Sequence, residues 1–161
     1  MVRAEWRAEA EAWSRAALEH WEHGRELVDV LRECMHNGDA VTITYASVSW
    51  SGTLAAVGVD IVRIDAGTTN VDLRVAPNAP FVVRTRAAAR DGGTRGHATV
   101  ATFMARLREL DGTAVCIGTS VASLEGRLRL GRDQIRLTDR DGCSSYVPLG
   151  SVWWVRPLDD D

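Results

Sequence analysis

The chain writes one phrase twice. "SGTLAAVGVDIVRI" at residues 51–64 has its counterpart in "EGRLRLGRDQIRL" at 125–137. In each, a glycine enters an alternating apolar run and an aspartate opens a second run. Gly52 and Gly126 stand 74 positions apart, and so do Gly38 and Gly112. Pro77 and Pro148 stand 71 apart, so the second copy has lost a few turn residues. Landmark residues repeated in the same order indicate an internal duplication. A chain of 161 residues holds two such units only if each is very small.

Each copy reads as a helix followed by five strands. Trp6, Ala10, Trp13, Ala17, Trp21, Gly24, Val28, Leu31 and Met35 fall on one stripe at the helical period. They predict one helix over 3–36, closed by the Asn37–Gly38 pair, which tolerates the left-handed C-cap conformation. At about 1.5 Å per residue this helix is roughly 50 Å long, longer than a small domain is wide. Either it breaks near His23–Gly24, or its N-terminal half projects and meets a partner. Five strands then follow at 40–46, 50–58, 60–66, 71–76 and 80–85, with Gly, Asn and Pro between them. After the link "RAAARDGGTRG" (86–96), Val100, Phe103, Met104, Leu107 and Leu110 predict a second helix over 97–110. Strands return at 114–119, 123–131, 133–139, 143–148 and 151–156.

Five strands of this length leave two open edges if the sheet stays flat. Bending at a glycine in the long second strand lets such a sheet curl into a small barrel. The alternation agrees in both copies. Leu54, Ala56, Val62 and Ile64 share the inward phase of Leu128, Leu130, Ile135 and Leu137, and Arg127, Arg129, Gln134 and Arg136 point outward. The expected class is α+β: a long N-terminal helix and two tandem helix–five-strand barrels. The expected divisions are a Trp-rich extension (1–24), a first barrel with its capping helix (25–86), a linker (87–96), a second barrel (97–157) and an acidic tail (158–161).

The element order, "GTLAAVGVDIVRI", "RVAPNAPFVV" and "SYVPLGSVWWV" resemble the Sm-like (LSm/Hfq) small β-barrel family. The ending of the second copy looks like that of uncharacterised actinobacterial Sm-like proteins carrying one such unit. The resemblance covers residues 25–86 and 97–157. It implies structural roles for Gly52, Asp60, Gly126 and Asp133. It also implies a strand-five edge that pairs with strand four of a neighbouring unit, here between the two copies or onward to further chains. The family's uridine-reading Asn is replaced by Arg63 and Arg136, and its Arg-Gly pair in the final turn is missing from both copies, so its RNA pocket does not carry over.

All 19 basic residues are arginine, and alanine is abundant, as expected of a high-GC genome. The net charge of −3 shows no dominant basic field of the kind that neutralises phosphates. Arg127, Arg129, Arg132 and Arg136, with Arg63, are the best nucleic-acid candidates, although Glu125, Asp133 and Asp139 stand among those of the second copy. No apolar stretch is long enough to cross a bilayer, and the opening residues lack a signal-peptide core, so a cytoplasmic location is expected. Cys34, Cys116 and Cys143 are odd in number and widely spaced, and read as free thiols. His20 and His23 lack a third ligand, Cys34 and His36 lack an orienting group, and the serines lack a base.

The expectation is therefore a non-catalytic binding and assembly module without cofactor or metal, regulatory in a bacterium. It would associate with itself or another protein through the helix face at Trp6, Trp13, Trp21 and Gly24 and through strand edges. Single-stranded RNA binding by the arginines is the alternative.

Overall fold

The computed structural model describes residues 2–88 and 102–159. Most of the expected linker, the beginning of the expected second helix with Val100, and the last two residues of the acidic tail lie outside the described residues.

The N-terminal apolar stripe is divided between two helices. Helix α1 runs Val2–His23 and α2 runs Leu27–Asn37, so the single helix expected over 3–36 does not form. Its break falls at Gly24–Glu26, where Glu26 starts α2 through a capping box with Asp29. The capping residues prevail over the continuous stripe because they satisfy the orphan amides of a new helix start. Helix α2 ends at Gly38, whose φ of 70° is the left-handed conformation that glycine adopts without a Cβ penalty. Val28, Leu31, Cys34 and Met35 on α2 are buried, whereas α1 is exposed along its described side chains.

Ten strands follow among the described residues, all paired antiparallel. They are β1 (Ala40–Tyr45), β2 (Val48–Val57), β3 (Ile61–Asp65), β4 (Asn70–Arg74), β5 (Phe81–Arg86), β6 (Ala114–Gly118), β7 (Ser123–Leu130), β8 (Gln134–Thr138), β9 (Ser144–Pro148) and β10 (Trp154–Pro157). Helix α3 (Phe103–Glu109) precedes β6, and its N-cap Thr102 accepts the Ala105 amide. Ser151, expected to open the last strand, instead closes a 3-10 turn over Leu149–Ser151, so β10 starts later, at Trp154.

The strand order is β5-β1-β2-β3-β4-β10-β6-β7-β8-β9. The molecule is α+β, but its hydrogen bonds draw one open sheet rather than two closed barrels. Strand β4 meets β10, the last strand of the second copy, and β5 and β9 form the edges. The end of the first half thus finds its strand partner in the second.

Two cores lie along this sheet. One gathers α2 with Val41, Ile43, Leu54, Val62, Ile64 and Leu73; the other gathers α3 with Val115, Ile117, Leu128, Ile135 and Leu137. Removing these side chains from water provides the main drive for each half, at about 25 cal/mol per Å² of apolar surface. The repeated glycines do matching work. A Cβ on Gly52 would collide with the Asp65 carbonyl, and one on Gly126 would lie 2.7 Å from the Thr138 carbonyl oxygen. Both let the second strand of their unit pass close over the end of the third.

Candidate interaction surfaces

The joint between the halves holds a buried carboxylate paired to arginines from both of them. Trp154 pairs with Leu73 and Val155 with Asp72 across β10 and β4. Asp72 is wholly buried, its carboxylate accepting from Arg63 Nε at 2.7 Å and from Arg106 Nε at 2.7 Å. Arg106 comes from α3, so a second-half helix is ion-paired to a first-half strand. Burial opposes charge on Arg106, but its contacts with Asp72 and Glu109 prevail and hold its pKa above the ordinary arginine value. Asp60 accepts the Phe103 amide at 2.8 Å, at the start of the same helix. Arg74 donates to the Leu149 carbonyl at 2.8 Å and lies over the rings of Phe103 and Trp153. Burial lowers its pKa, and Asp60 opposes that shift.

Trp154 carries the joint into the first core. Its strand belongs to the second half, yet its indole packs edge-on against Trp50, with ring centroids 4.9 Å apart. Its neighbour Trp153 is half-buried under Arg74. Trp153, just before the strand begins, also packs against the first core.

The free edges repeat the geometry of this joint. Val83 on β5 faces Ile43 as Val155 on β10 faces Ile117. Tyr146 on β9 faces Arg136 as Asp72 on β4 faces Arg63. With no strand partner beyond β5 or β9 among the described residues, Tyr146 is 65% exposed, and Val82, beside Val83, is 63% exposed.

A second surface is α1. Trp6, Trp13 and Trp21 are 69%, 78% and 54% exposed. Only the last has a partner among the described residues: the Arg25 guanidinium lies 4.3 Å from its ring centroid, and Arg25 is itself ion-paired to Glu33. Gly24 lies at the C-terminal end of this face, with the His20 and Trp21 carbonyls beside it.

The candidate arginines do not form one patch. Arg63 is committed to Asp72. Arg127 donates to the Gly112 carbonyl, and Arg129 lies 3.9 Å from Asp111. Arg132 occupies the exposed turn between β7 and β8. Arg129 and Arg136 are direct cross-strand partners, and Arg136 in turn faces Tyr146, which makes a short basic–aromatic row on the outer face. A groove beside it is lined by Glu125, Arg127, Asp139, Arg140 and Asp141, of mixed sign. Of the two repeated aspartates, Asp60 uses its side chain on α3. Asp133 contributes its backbone carbonyl to the Leu149 amide, as Asp60 does to the Val75 amide.

The described residues gather no group of three His, Cys, Asp or Glu side chains that could hold a metal. His23 Nδ1 is hydrogen-bonded to the Glu19 carbonyl. Cys34 is buried in the first core while His36 is exposed, so they do not present a thiol–imidazole pair. None of the helices among the described residues is long and apolar enough to cross a membrane.

Sequence reasoning missed Asp72, Arg74, Arg106, Val82 and Tyr146. The signal for the first was present: aligned on the repeat, "VDLRV" puts a carboxylate where "SYVPL" puts a tyrosine. No protein-family model matches the chain, and no curated protein matches it.

Proposed function

We propose that this chain is a tandem Sm-like assembly module that joins further copies of itself end to end through its strand edges. The carrying observation is the β4–β10 joint. The chain already makes, between its own halves, the contact that β9 of one copy and β5 of the next would make between chains. The strand order within each half supports the Sm-like reading, because β5-β1-β2-β3-β4 and β10-β6-β7-β8-β9 run in the same sense. In the repeated joint Val83 faces Tyr146 and Val82 faces Val147, so both exposed apolar edge residues are covered. An uncovered strand edge of this kind is a template for pairing. Ends of unlike kind give a heterologous contact, which closes into a ring or grows as a filament according to the rotation at each step. The role is non-catalytic, serves regulation in a bacterial cytoplasm, and requires no cofactor.

The test is mass in solution against concentration. The wild-type chain is expected to form species larger than one chain, and Val82→Lys, which places a charge at the edge, is expected to form smaller ones. A monomeric wild type at high concentration sinks the reading.

One observation favours a second reading, single-stranded RNA binding. Like charges directly opposite on a sheet destabilise it unless an anion lies between them, and Arg129 and Arg136 stand so, beside an aromatic ring on which a base can stack. The two readings compete for Tyr146. RNA binding that weakens steeply with salt and is lost in Tyr146→Ala, with a wild type that stays monomeric, would favour RNA.

A further inference from the structure

The tryptophan face of α1 requires an occupant other than the sheet, and the residues between the tryptophans indicate which. Along the face, large and small side chains alternate: Trp6, Ala10, Trp13, Ala17, then His20 and Trp21, then Gly24. We propose that α1 pairs with α1 of a second copy, antiparallel, so that each indole lies over a small residue of the partner. One register does this for the whole face. Trp6 lies opposite the partner's Gly24, Trp13 opposite the partner's Ala17, Trp21 beside the partner's Ala10, and Ala10 opposite the partner's His20.

Size decides the direction. A parallel pair sets indole against indole at one level and alanine against alanine at the next, crowding the first and leaving the second empty. The antiparallel pair gives every layer one large and one small member, which is how packed layers interdigitate. Charge and dipole agree. The antiparallel pair brings Glu9 beside the partner's His23 and sets the helix dipoles head to tail.

Area is sufficient. Tryptophans bury on the order of 150–250 Å² each, so six indoles alone approach the roughly 1,000 Å² that a specific interface needs. A lipid surface fits less well, because α1 carries five glutamates against three arginines, whereas helices that lie on membranes are rich in cations. The glycine at position 24 also acquires a purpose. Among the described residues its site would admit a Cβ at ordinary contact distance, so its own chain does not demand glycine there, while an indole seated on it would.

This pairing deepens the self-association reading with a second surface and does not depend on the strand edges. The test therefore uses full-length chains in which the β5 edge is blocked by Val82→Lys and the exposed Cys143 is replaced by Ser. Ala10→Cys and His20→Cys are introduced separately, and each chain is oxidised alone and as a mixture. Covalent dimers are expected only in the mixture, because residues 10 and 20 meet each other across the pair and neither meets itself. Trp13→Ala in both chains is expected to lower the cross-linked yield about tenfold or more. Dimers formed by either variant alone would mean a parallel pair, and no dimers in the mixture would mean no pair; both overturn the proposal. Failure of the edge reading leaves every one of these outcomes unchanged.

Discussion

A carboxylate with no exposed surface is tolerated only when its charge is answered, and Asp72 is answered twice, by Arg63 and Arg106. Asp72→Asn keeps the size but leaves two half-buried guanidinium groups without their shared counter-charge. It is expected to cost about 3–5 kcal/mol in denaturant unfolding, and a loss under 1 kcal/mol would mean that the two arginines reach water. The thiols give an independent reading of burial. Burial pushes the Cys34 and Cys116 pKa values up, Asp39 and Glu33 adding to the rise at Cys34, so neither forms thiolate readily near neutral pH. Cys143 is exposed. A thiol-reactive dye at pH 7 should label Cys143 promptly and the other two only on unfolding. At this scale the sequence disclosed its landmarks and concealed the joint. Gly52, Gly126 and Asp60 announced themselves by repetition. Asp72 was not repeated, since the second copy has Tyr146 in its place, and half of what answers its charge, Arg106, comes from the other half of the chain.

At the scale of elements, periodicity located ten strands to within a few residues but ran α1 and α2 together as one helix, because alternating apolar runs and turn residues are local signals. Partners are not local. Nothing within "VWWV" says which tryptophan enters which core, and Trp154 enters the core of the opposite half. Trp154→Ala should therefore cost about 3–5 kcal/mol and loosen the first half more than the second. Hydrogen exchange would report this as protection lost in β2 and β4 ahead of β7 and β8. Trp154→Phe should cost much less, since it keeps an aromatic ring against Trp50 and removes a buried indole N–H that has no hydrogen-bond partner among the described residues. Equal losses of protection in both halves would show that they fold as one cooperative unit. The same non-locality explains the N-terminal stripe. Its spacing is continuous from Trp6 to Met35, but a stripe records only which side is apolar. Where the covering surface changes, from open at α1 to the first core at α2, is fixed by the capping residues Glu26 and Asp29 and by the reach of the sheet.

At the scale of the molecule, unlike ends make a stronger prediction than mass alone. A chain carrying Val82→Lys has lost its β5 edge but keeps β9; a chain carrying Tyr146→Lys has lost β9 but keeps β5. With Trp13→Ala added to both to remove the α1 pair, each alone should stop at one chain in dilute solution. Mixed in equal amounts, they should form a dimer of one of each, because the surviving β9 of the first meets the surviving β5 of the second. An isologous contact, in which each edge pairs with its own kind, predicts the reverse: each variant dimerises alone through its intact edge, and mixing adds nothing. Sedimentation of the two chains and their mixture separates these outcomes. The result also bears on α1. If edges join chains end to end and α1 joins them in antiparallel pairs, the wild-type chain has two independent routes of association. The doubly blocked chain Val82→Lys with Trp13→Ala should then be smaller in solution than either single variant. A doubly blocked chain that remains as large as Val82→Lys alone would leave the strand edges as the sole route and remove α1 from the assembly.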